Sequence, residues 1–534
     1  MKKIIAVLLL STGFLQAQSF THRDSLLGGN PIERSCFDVL HYELDIKIDI
    51  DKRYISGKNQ IVFKGVEKSK TIQIDLFENM EVDSIVFENK KLNYKRDEVA
   101  VFIEFNKYIQ PEEKYTIDFY YSGNPKVAKN APWDGGFVFS KDSNNKPFVG
   151  VAVQGTGASL WYPVKDTQRD EPDLGATIKV AVPNGLMNVS NGRFKGAEDL
   201  KNGYTRWDWE VVNPINTYDI TVNIADYVHF SDKLDDLDID YYVLRENEAK
   251  AKVHFEEVKP MLACFQEKFG AYPFIEDGYK LVETSYLGME HQSAIAYGNK
   301  YKKGYLGYDY NGTGTGMFFD YITIHESAHE WFGNSITSAD IADMWIHEGF
   351  TTYAEAVFVE CQKGYETALK YVNGNKKRVS NRKNIAGHYN VNNEPDGEMY
   401  SKGALFVNTL RHILDDEEKW SKILYDYSTT FKKKIVTTQV VEQYFSKAFN
   451  MDLKPVFEHY IYKENVPNLV LELKKNKLYY HFNNVTEGFK MPLYIFVKGK
   501  KVKLTACNKE QTIKLNTQNK QDIKVGYQEF LISY

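Results

Sequence analysis

The spacing of three metal-binding side chains is the feature that most constrains this chain. Residues 325–329 read HESAH, and Glu348 follows after eighteen further residues, within the run WIHEGF. Residues four apart on a helix lie about 40° apart around its axis and roughly one turn along it. His325 and His329 can therefore bind one metal ion from a single helical face, and Glu326 lies beside that face.

This ligand set is typical of a catalytic zinc site. Two imidazoles and one carboxylate leave a fourth coordination position open, where Glu326 could take a proton from a bound water. The alternative is a chance match on an amphipathic helix. With 12 histidines in 534 residues, such a match is expected in about one or two chains in a hundred. The apolar and aromatic segment 317–324 predicts that the helix is buried.

The composition predicts several folded domains and no nucleic-acid partner. A chain of 534 residues with 43% hydrophobic residues can bury large cores and divides into about three domains. Charged residues of both signs are mixed, the net charge is -5, and no long basic run is present.

Residues 1–17 have the pattern of a removable export signal. Lys2 and Lys3 precede an apolar run over residues 4–10, and Ala17 is a small residue near the expected cleavage point. The run is too short to span a bilayer, and no other segment is long and apolar enough. We therefore expect an exported protein, periplasmic or secreted, with no integral membrane segment after signal removal.

Four cysteines lie far apart, without a CxxC spacing. In an exported protein they could form disulfides, and isolated buried thiols are the alternative. Neither interpretation makes them metal ligands. They are Cys36, Cys264, Cys361 and Cys507.

The first 200 or so residues after the signal show mostly strand patterns. Segment 42–50 alternates apolar and polar residues, as a half-buried strand does. Several short strands with little helical periodicity favour an antiparallel sandwich or saddle-shaped sheet over residues 18–244. Further strands are predicted at 72–76, 115–121, 177–182 and 217–224.

The pattern becomes helical after residue 245. Segment 248–269 carries apolar residues at helical spacing, and the sequence stays mostly helical to residue 462. We predict a mainly helical catalytic domain over 245–465 and a small β-sandwich over 466–534, hence an α+β multidomain fold. Strand patterns return at 469–473, 491–497 and 523–525.

Glu290, in the run GMEHQ at 288–292, could recognise one end of a peptide. A carboxylate beside a metal site can bind the free α-ammonium group of a peptide. An interior peptide segment has no such group and would leave the carboxylate charge unpaired. Such an anchor would make the enzyme an exopeptidase. The alternative is an ordinary loop or edge strand.

Two further polar residues are candidates for the same site. The hydroxyl of Tyr400, in the run YSKGA, could donate a hydrogen bond to an oxyanion, although one of 37 tyrosines carries no weight alone. The amide of Gln154, which precedes a WYP run, could help to bind the substrate amine, and an ordinary turn residue is the alternative.

In this order, the motifs resemble those of the M1 family of zinc aminopeptidases, the gluzincins that include aminopeptidase N and leukotriene A4 hydrolase. The matching elements are the glutamine before WYP, GMEH in place of a GxMEN motif, HExxH with Glu348, and Tyr400 in a YxKGA context. The resemblance covers residues 36–534 and is strongest over 283–404.

The resemblance implies a zinc aminopeptidase with a thermolysin-like catalytic domain. His325, His329 and Glu348 would bind one Zn²⁺ per chain, Glu326 would act as general base, and Tyr400 would stabilise the oxyanion. The expected substrates are peptides with a free N-terminus, which lose their N-terminal residue. The implied substrate-binding residues are Gln154, Gly288, Met289 and Glu290.

Two departures from the family pattern matter. His291 stands where the family has Asn, which could change local hydrogen bonding or the pH profile, or could preserve the same structural contact. The sequence also has no counterpart of the large C-terminal helical domain of many relatives. Without such a domain, the cleft is expected to be more open or to be closed by a partner chain. The sequence does not predict the oligomeric state.

Rival functions make different demands on these residues. A thermolysin-like endopeptidase would have no use for an ammonium anchor at Glu290. A non-catalytic scaffold would be expected to lose a metal ligand or the general base, and none is missing. An additional epoxide hydrolase activity, as in leukotriene A4 hydrolase, is a further alternative, but no residue in this sequence requires it.

Overall fold

The computed structural model describes residues 20–534. The signal peptide predicted for residues 1–17 lies outside the described residues. Among residues 20–534, no helix combines the length and apolar character needed to cross a bilayer. A strand-rich region, a mainly helical region and a small strand region follow one another along the chain.

The first region is built almost entirely of strands. Two short helices, α1 (His22–Gly28) and α2 (Ile32–Ser35), precede them. The strands are β1 Phe37–Asp49, β2 Tyr54–Gly65, β3 Ser69–Asp75, β4 Met80–Phe87, β5 Lys90–Lys91, β6 Asn93–Asp97, β7 Ala100–Ile109, β8 Lys114–Gly123, β9 Gly136–Lys141, β10 Pro147–Ala152, β11 Ala176–Pro183, β12 Met187–Val189, β13 Arg193–Asp199, β14 Tyr204–Val211 and β15 Asn223–Ala225.

These strands form a large sheet and two smaller ones. The eight-stranded sheet has the order β13-β14-β11-β1-β2-β8-β4-β5, and the smaller sheets have the orders β3-β7-β6 and β12-β15-β10-β9. The predicted alternation holds in β1, where Tyr42, Leu44, Ile46 and Ile48 are buried. The β-rich fold is confirmed, but β1 pairs with β11 in parallel. The antiparallel prediction is wrong for this pair of strands. The chain between them crosses back to the edge of the sheet at which β1 begins, so β11 runs in the same direction as β1.

The strand predicted at 217–224 is wrong for most of its length. Thr217–Asp219 form a 3-10 turn, and the strand is confined to Asn223–Ala225. The segment is rich in strand-forming residues, but a hydrogen bond of 3.0 Å from the Asp219 amide to the Asn216 carbonyl closes the turn. The turn buries Tyr218 near the candidate site.

The second region places helices against a mixed sheet of five strands, in the order β16-β17-β18-β20-β19. The predicted domain boundary at residue 244 falls directly after β17, within this sheet. The strands are β16 Tyr227–Leu234, β17 Leu237–Leu244, β18 Tyr279–Glu283, β19 Gly288–Met289, β20 Ile295–Tyr297, β21 Ile336–Ser338 and β22 Lys434–Val436. The helices are α3 Glu248–His254, α4 Val258–Phe269, α5 Tyr321–Ala328, α6 Trp345–Lys363, α7 Tyr365–Asn373, α8 Glu398–Leu414, α9 Glu417–Thr430, α10 Thr438–Phe449 and α11 Lys454–Tyr462.

Two predicted helical segments differ in detail from the structure. A 3-10 turn at Phe255–Glu257 divides segment 248–269 into α3 and α4. The helix of the metal motif begins at Tyr321 rather than in the segment from 317. Asp320 caps it, because the Asp320 carboxylate accepts a hydrogen bond of 3.1 Å from the Thr323 amide.

A disulfide joins Cys264 in α4 to Cys361 in α6. Cys36 is a buried thiol, and Cys507 is a half-buried one. Cys264 and Cys361 thus match the disulfide interpretation, whereas Cys36 and Cys507 match the interpretation as isolated thiols.

The third region is the small β-sandwich that the alternating leucines predict. Its two three-stranded sheets have the orders β23-β24-β27 and β26-β25-β28. The strands are β23 Asn468–Lys474, β24 Lys477–Asn483, β25 Lys490–Val497, β26 Lys500–Cys507, β27 Gln511–Lys514 and β28 Ile523–Val525.

Candidate active site

The structure brings His325, His329 and Glu348 together. His325 lies in α5, His329 directly follows that helix, and Glu348 lies in the first turn of α6. The Nε2 atoms of His325 and His329 lie 3.6 Å and 3.4 Å from Glu348 Oε2. One donor atom from each residue lies within 4.8 Å of the other two. The three side chains are buried.

The ring nitrogens that face away from Glu348 have fixed partners. His325 Nδ1 lies 2.7 Å from Glu355 Oε1, and the Tyr371 hydroxyl donates to the other Glu355 oxygen. His329 Nδ1 lies 2.9 Å from the Phe332 carbonyl oxygen. Such partners set the imidazole tautomer, so that both Nε2 atoms present lone pairs towards Glu348.

The donor set fits a zinc ion. Glu348 Oε2 is buried and accepts no hydrogen bond from any residue within 20–534. Burying an ionised oxygen without a partner is unfavourable unless a cation compensates for it. Two neutral imidazoles and a carboxylate are ligands that Zn²⁺ accepts.

Glu326 and Gly288 approach each other closely. A Cβ atom on Gly288 would lie 2.7 Å from Ile322 Cγ2 and 2.9 Å from Glu326 Oε1, so a side chain at this position would displace one of these groups. Gly288 and Met289 form the short strand β19, which pairs with β20 and leaves its other edge on the cleft. Burial raises the pKa of Glu326.

The carboxylate of Glu290 is held by side chains from the first region of the chain. The amide of Gln154 donates to Glu290 Oε1 at 2.5 Å and to Glu348 Oε1 at 3.5 Å. The hydroxyl of Tyr218 donates to Glu290 Oε1 at 3.3 Å. Burial raises the pKa of Glu290, so a cation bound there would stabilise its ionised form. No sequence signal identified Tyr218, since its contact depends on the unexpected turn.

Tyr400 lies beside the metal ligands because two helices approach closely. Its ring centroid is 6.0 Å from that of His325. A Cβ atom on Gly349 of α6 would lie 3.0 Å from the Gly403 Cα of α8, so the glycine pair lets these helices touch. Burial, then the charge of Glu348, raises the pKa of the Tyr400 hydroxyl, which stays protonated as a hydrogen-bond donor.

His291, which replaces the family's Asn, is fully buried. Burial lowers its pKa to about 3, so the imidazole is neutral near neutral pH. Neither ring nitrogen has a hydrogen-bond partner among residues 20–534. The backbone beside it is supported by the Asn334 amide, which donates to the Glu290 carbonyl at 2.7 Å.

A cavity of about 590 Å³ joins the predicted residues into one cleft. The cleft is also lined by Trp133, Arg378 and Glu394, none of which was predicted from sequence. The predicted site residues that line the cleft are Gln154, Gly288, Met289, Glu290, His325, Glu326, His329, Glu348 and Tyr400.

Known proteins share both the sequence pattern and the fold. "Probable aminopeptidase 2" of Sulfurisphaera tokodaii is 20% identical over 508 residues, which cover 89% of this chain and 60% of that protein. "Leucine aminopeptidase 2" of Vanderwaltozyma polyspora is 22% identical over 465 residues, which cover 81% and 66%. The chain thus spans less than two thirds of the length of these curated relatives.

A solved structure has the same architecture. The M1 zinc metallopeptidase from Deinococcus radiodurans superposes with a TM-score of 0.68 at 19% identity, covering 81% of this chain and 94% of that one.

Two family models match consecutive parts of the chain. The Peptidase M1 N-terminal domain matches residues 39–218, and the Peptidase family M1 domain matches residues 253–460. The two matches follow the order of the first two structural regions and together span most of the sequence. The chain belongs to peptidase family M1.

Proposed function

We propose that the protein is a zinc-dependent aminopeptidase that removes the N-terminal residue from peptides. The single observation that carries this proposal is the buried Glu290 carboxylate, held by Gln154 and Tyr218 beside the three metal-ligating groups. Family membership and the names of the relatives support the same chemistry.

The residues divide into a metal site and groups that act on substrate. His325, His329 and Glu348 would hold one zinc ion per chain. Zinc, when bound, supplies a Lewis acid that makes water more nucleophilic and polarises a carbonyl group. Glu326 would take a proton from the attacking water and pass it to the leaving amine.

The remaining residues would orient the peptide. Glu290 and Gln154 would bind the α-ammonium group, and the edge of β19 at Gly288 and Met289 would lie along the peptide backbone. The Tyr400 hydroxyl would donate a hydrogen bond to the oxyanion. A fixed distance from the Glu290 carboxylate to the metal ligands would allow removal of one residue at a time.

The test is turnover of aminoacyl-arylamides, each measured beside its N-acetylated form, with and without a chelator. We expect cleavage of free-amine substrates only, lost on chelation and restored by zinc. The matched control is Glu326→Gln, which should keep zinc but lose about 10² to 10⁴-fold in kcat. Equal turnover of acetylated substrates would show an endopeptidase, and zinc binding without turnover would show a scaffold.

We also propose that the protein is exported, to the periplasm or the medium. The apolar run behind Lys2 and Lys3 supports this location. The disulfide between Cys264 and Cys361 also supports it, since disulfides persist in oxidising compartments.

A further inference from the structure

Glu394 is a charged residue of the cleft wall that the proposed mechanism does not use. Two neighbouring acids have partners, since Asp396 Oδ2 lies 2.8 Å from Lys383 Nζ and Glu398 accepts a hydrogen bond from the Ser380 amide. The Glu394 carboxylate faces the cleft. Among residues 20–534 it forms no ion pair and accepts no hydrogen bond.

The carboxylate lies next to the groups that would bind the substrate amine. Glu394 Oε2 is 2.9 Å from the position of a Cβ atom on Gly155. Gly155 has a φ of +72°, a backbone conformation that is strained for residues with a side chain, and a side chain there would also meet the Glu394 carboxylate. It directly follows Gln154, whose amide donates to Glu290.

Arg378, which also lines the cleft, has other partners. Its Nη1 donates to the Asn311 side chain at 2.9 Å, its Nη2 donates to the Tyr310 carbonyl, and its guanidinium lies 3.5 Å from the centre of the Tyr310 ring. Arg378 therefore does not neutralise Glu394.

The surroundings of Glu394 favour a cationic ligand. The Glu394 side chain is solvent-exposed on the cleft wall. Desolvation by the surrounding wall, then the charge of Glu348, raises the pKa of its carboxyl to about 7. An accessible carboxylate without an internal partner can pair with a cation that enters the cleft.

We propose that Glu394 selects peptides whose N-terminal side chain is positively charged, lysine or arginine. This inference rests on the proposed aminopeptidase function, in which Glu290 fixes the α-ammonium group beside the metal ligands. The first side chain then leaves the peptide between these groups. Lysine and arginine have long cationic side chains, and Glu394 lines the same cleft as Glu290 and the metal-ligating residues.

The test compares substrates that differ in charge but not in length. We would measure kcat/KM for lysyl against norleucyl arylamides and for arginyl against citrullyl arylamides. The native protein should prefer the charged member of each pair. In Glu394→Gln the preference should fall by about tenfold to a hundredfold, with norleucyl turnover changed less than about twofold. Asp396→Asn, which alters an acid already paired with Lys383, should keep the preference.

Two results would overturn this inference. One is equal loss of lysyl and norleucyl turnover in Glu394→Gln, which would mean that Glu394 supports the α-ammonium site or the fold. The other is a native protein that cleaves norleucyl and lysyl substrates equally well.

A binding measurement separates this inference from the proposed function. Calorimetric titration of Glu326→Gln with lysinamide and norleucinamide requires no turnover. Tighter binding of lysinamide, lost when Glu394→Gln is added, would support the selectivity by itself. Equal binding of the two amides would contradict it. Failure of the native protein to cleave any free-amine substrate would contradict the proposed function alone.

Discussion

The Glu355 carboxylate joins a histidine of the metal-ligand set to a second helix. One oxygen lies 2.7 Å from His325 Nδ1, and the other accepts a hydrogen bond from Tyr371 in α7. A carboxylate in this position keeps the imidazole oriented and makes it a better electron donor. Glu355 is about two turns along α6 from Glu348, so one helix provides both a predicted ligand and the support for another.

Replacing Glu355 should weaken metal binding while the fold is retained. Glu355→Gln keeps a hydrogen-bond acceptor but removes the charge, and we expect about a 10- to 100-fold loss of zinc affinity. Competition with a chelator measures this loss. Glu360→Gln is the matched control on the same helix, since Glu360 pairs with Arg411 at 2.7 Å and not with a histidine. Unchanged zinc affinity in Glu355→Gln would contradict the conclusion that Glu355 supports His325 as a metal ligand.

The raised pKa of Glu394 predicts a pH-dependent substrate preference. Below its folded pKa of about 7 the carboxyl is protonated and neutral, and above that value it carries the charge that attracts a cation. Glu348 and Tyr400 interact electrostatically with it, and Arg378, Asp396 and Glu398 line the same cleft. The ratio of lysyl to norleucyl kcat/KM should therefore rise between pH 6 and pH 8, by about fivefold to tenfold.

The ratio, rather than either rate, is the informative quantity. Titration of Glu290 or Glu326 affects both substrates alike and cancels from it. In Glu394→Gln the ratio should stay flat across this range. A rise that persists in this variant would assign the titration to another group.

The sequence predicted the residues whose roles depend on local spacing. His325, His329 and Glu348 are recognisable because helix geometry and a fixed interval define them. Tyr218 and Glu394 were not predictable in this way. Their positions in the cleft depend on an unexpected turn and on packing between distant segments, and neither leaves a spacing in the sequence.

At the scale of elements, α6 is fixed on two sides. Gly349 brings it against α8, and the disulfide from Cys361 fixes its C-terminal end to Cys264 of α4. The sequence could not predict this pairing, because four cysteines allow three different connectivities. Helix patterning predicted a helical segment at 248–269 and mostly helical sequence to residue 462, but not which helix faces would meet.

Removing the disulfide should destabilise the helical region. The two cysteines are 97 residues apart in sequence, and closing a loop of that length restricts the unfolded chain. We expect the double variant Cys264→Ser, Cys361→Ser to lose about 2 to 4 kcal/mol of unfolding free energy. Urea unfolding monitored by circular dichroism measures the loss. Cys507→Ser, which alters a half-buried free thiol, is the control and should unfold as the native protein does.

At the scale of the whole molecule, two hydrophobic cores meet beside the cleft. One core belongs to the first region but includes Met289 and Tyr286 of the second region, and the other contains the helices and the C-terminal sandwich. Alternation and helical periodicity predicted the order of the three regions. They could not predict that β1 pairs in parallel with β11, because partners 134 residues apart in sequence leave no local signal.

The hydrogen bonds from Gln154 and Tyr218 to Glu290 join the first region of the chain to the second. The metal-ligating groups and Glu326 all come from the second region, whereas the donors that hold Glu290 come from the first. Under the proposed function, recognition of a peptide N-terminus therefore depends on how the first region docks against the second, and a change in that docking would alter selectivity without touching a metal-ligating residue.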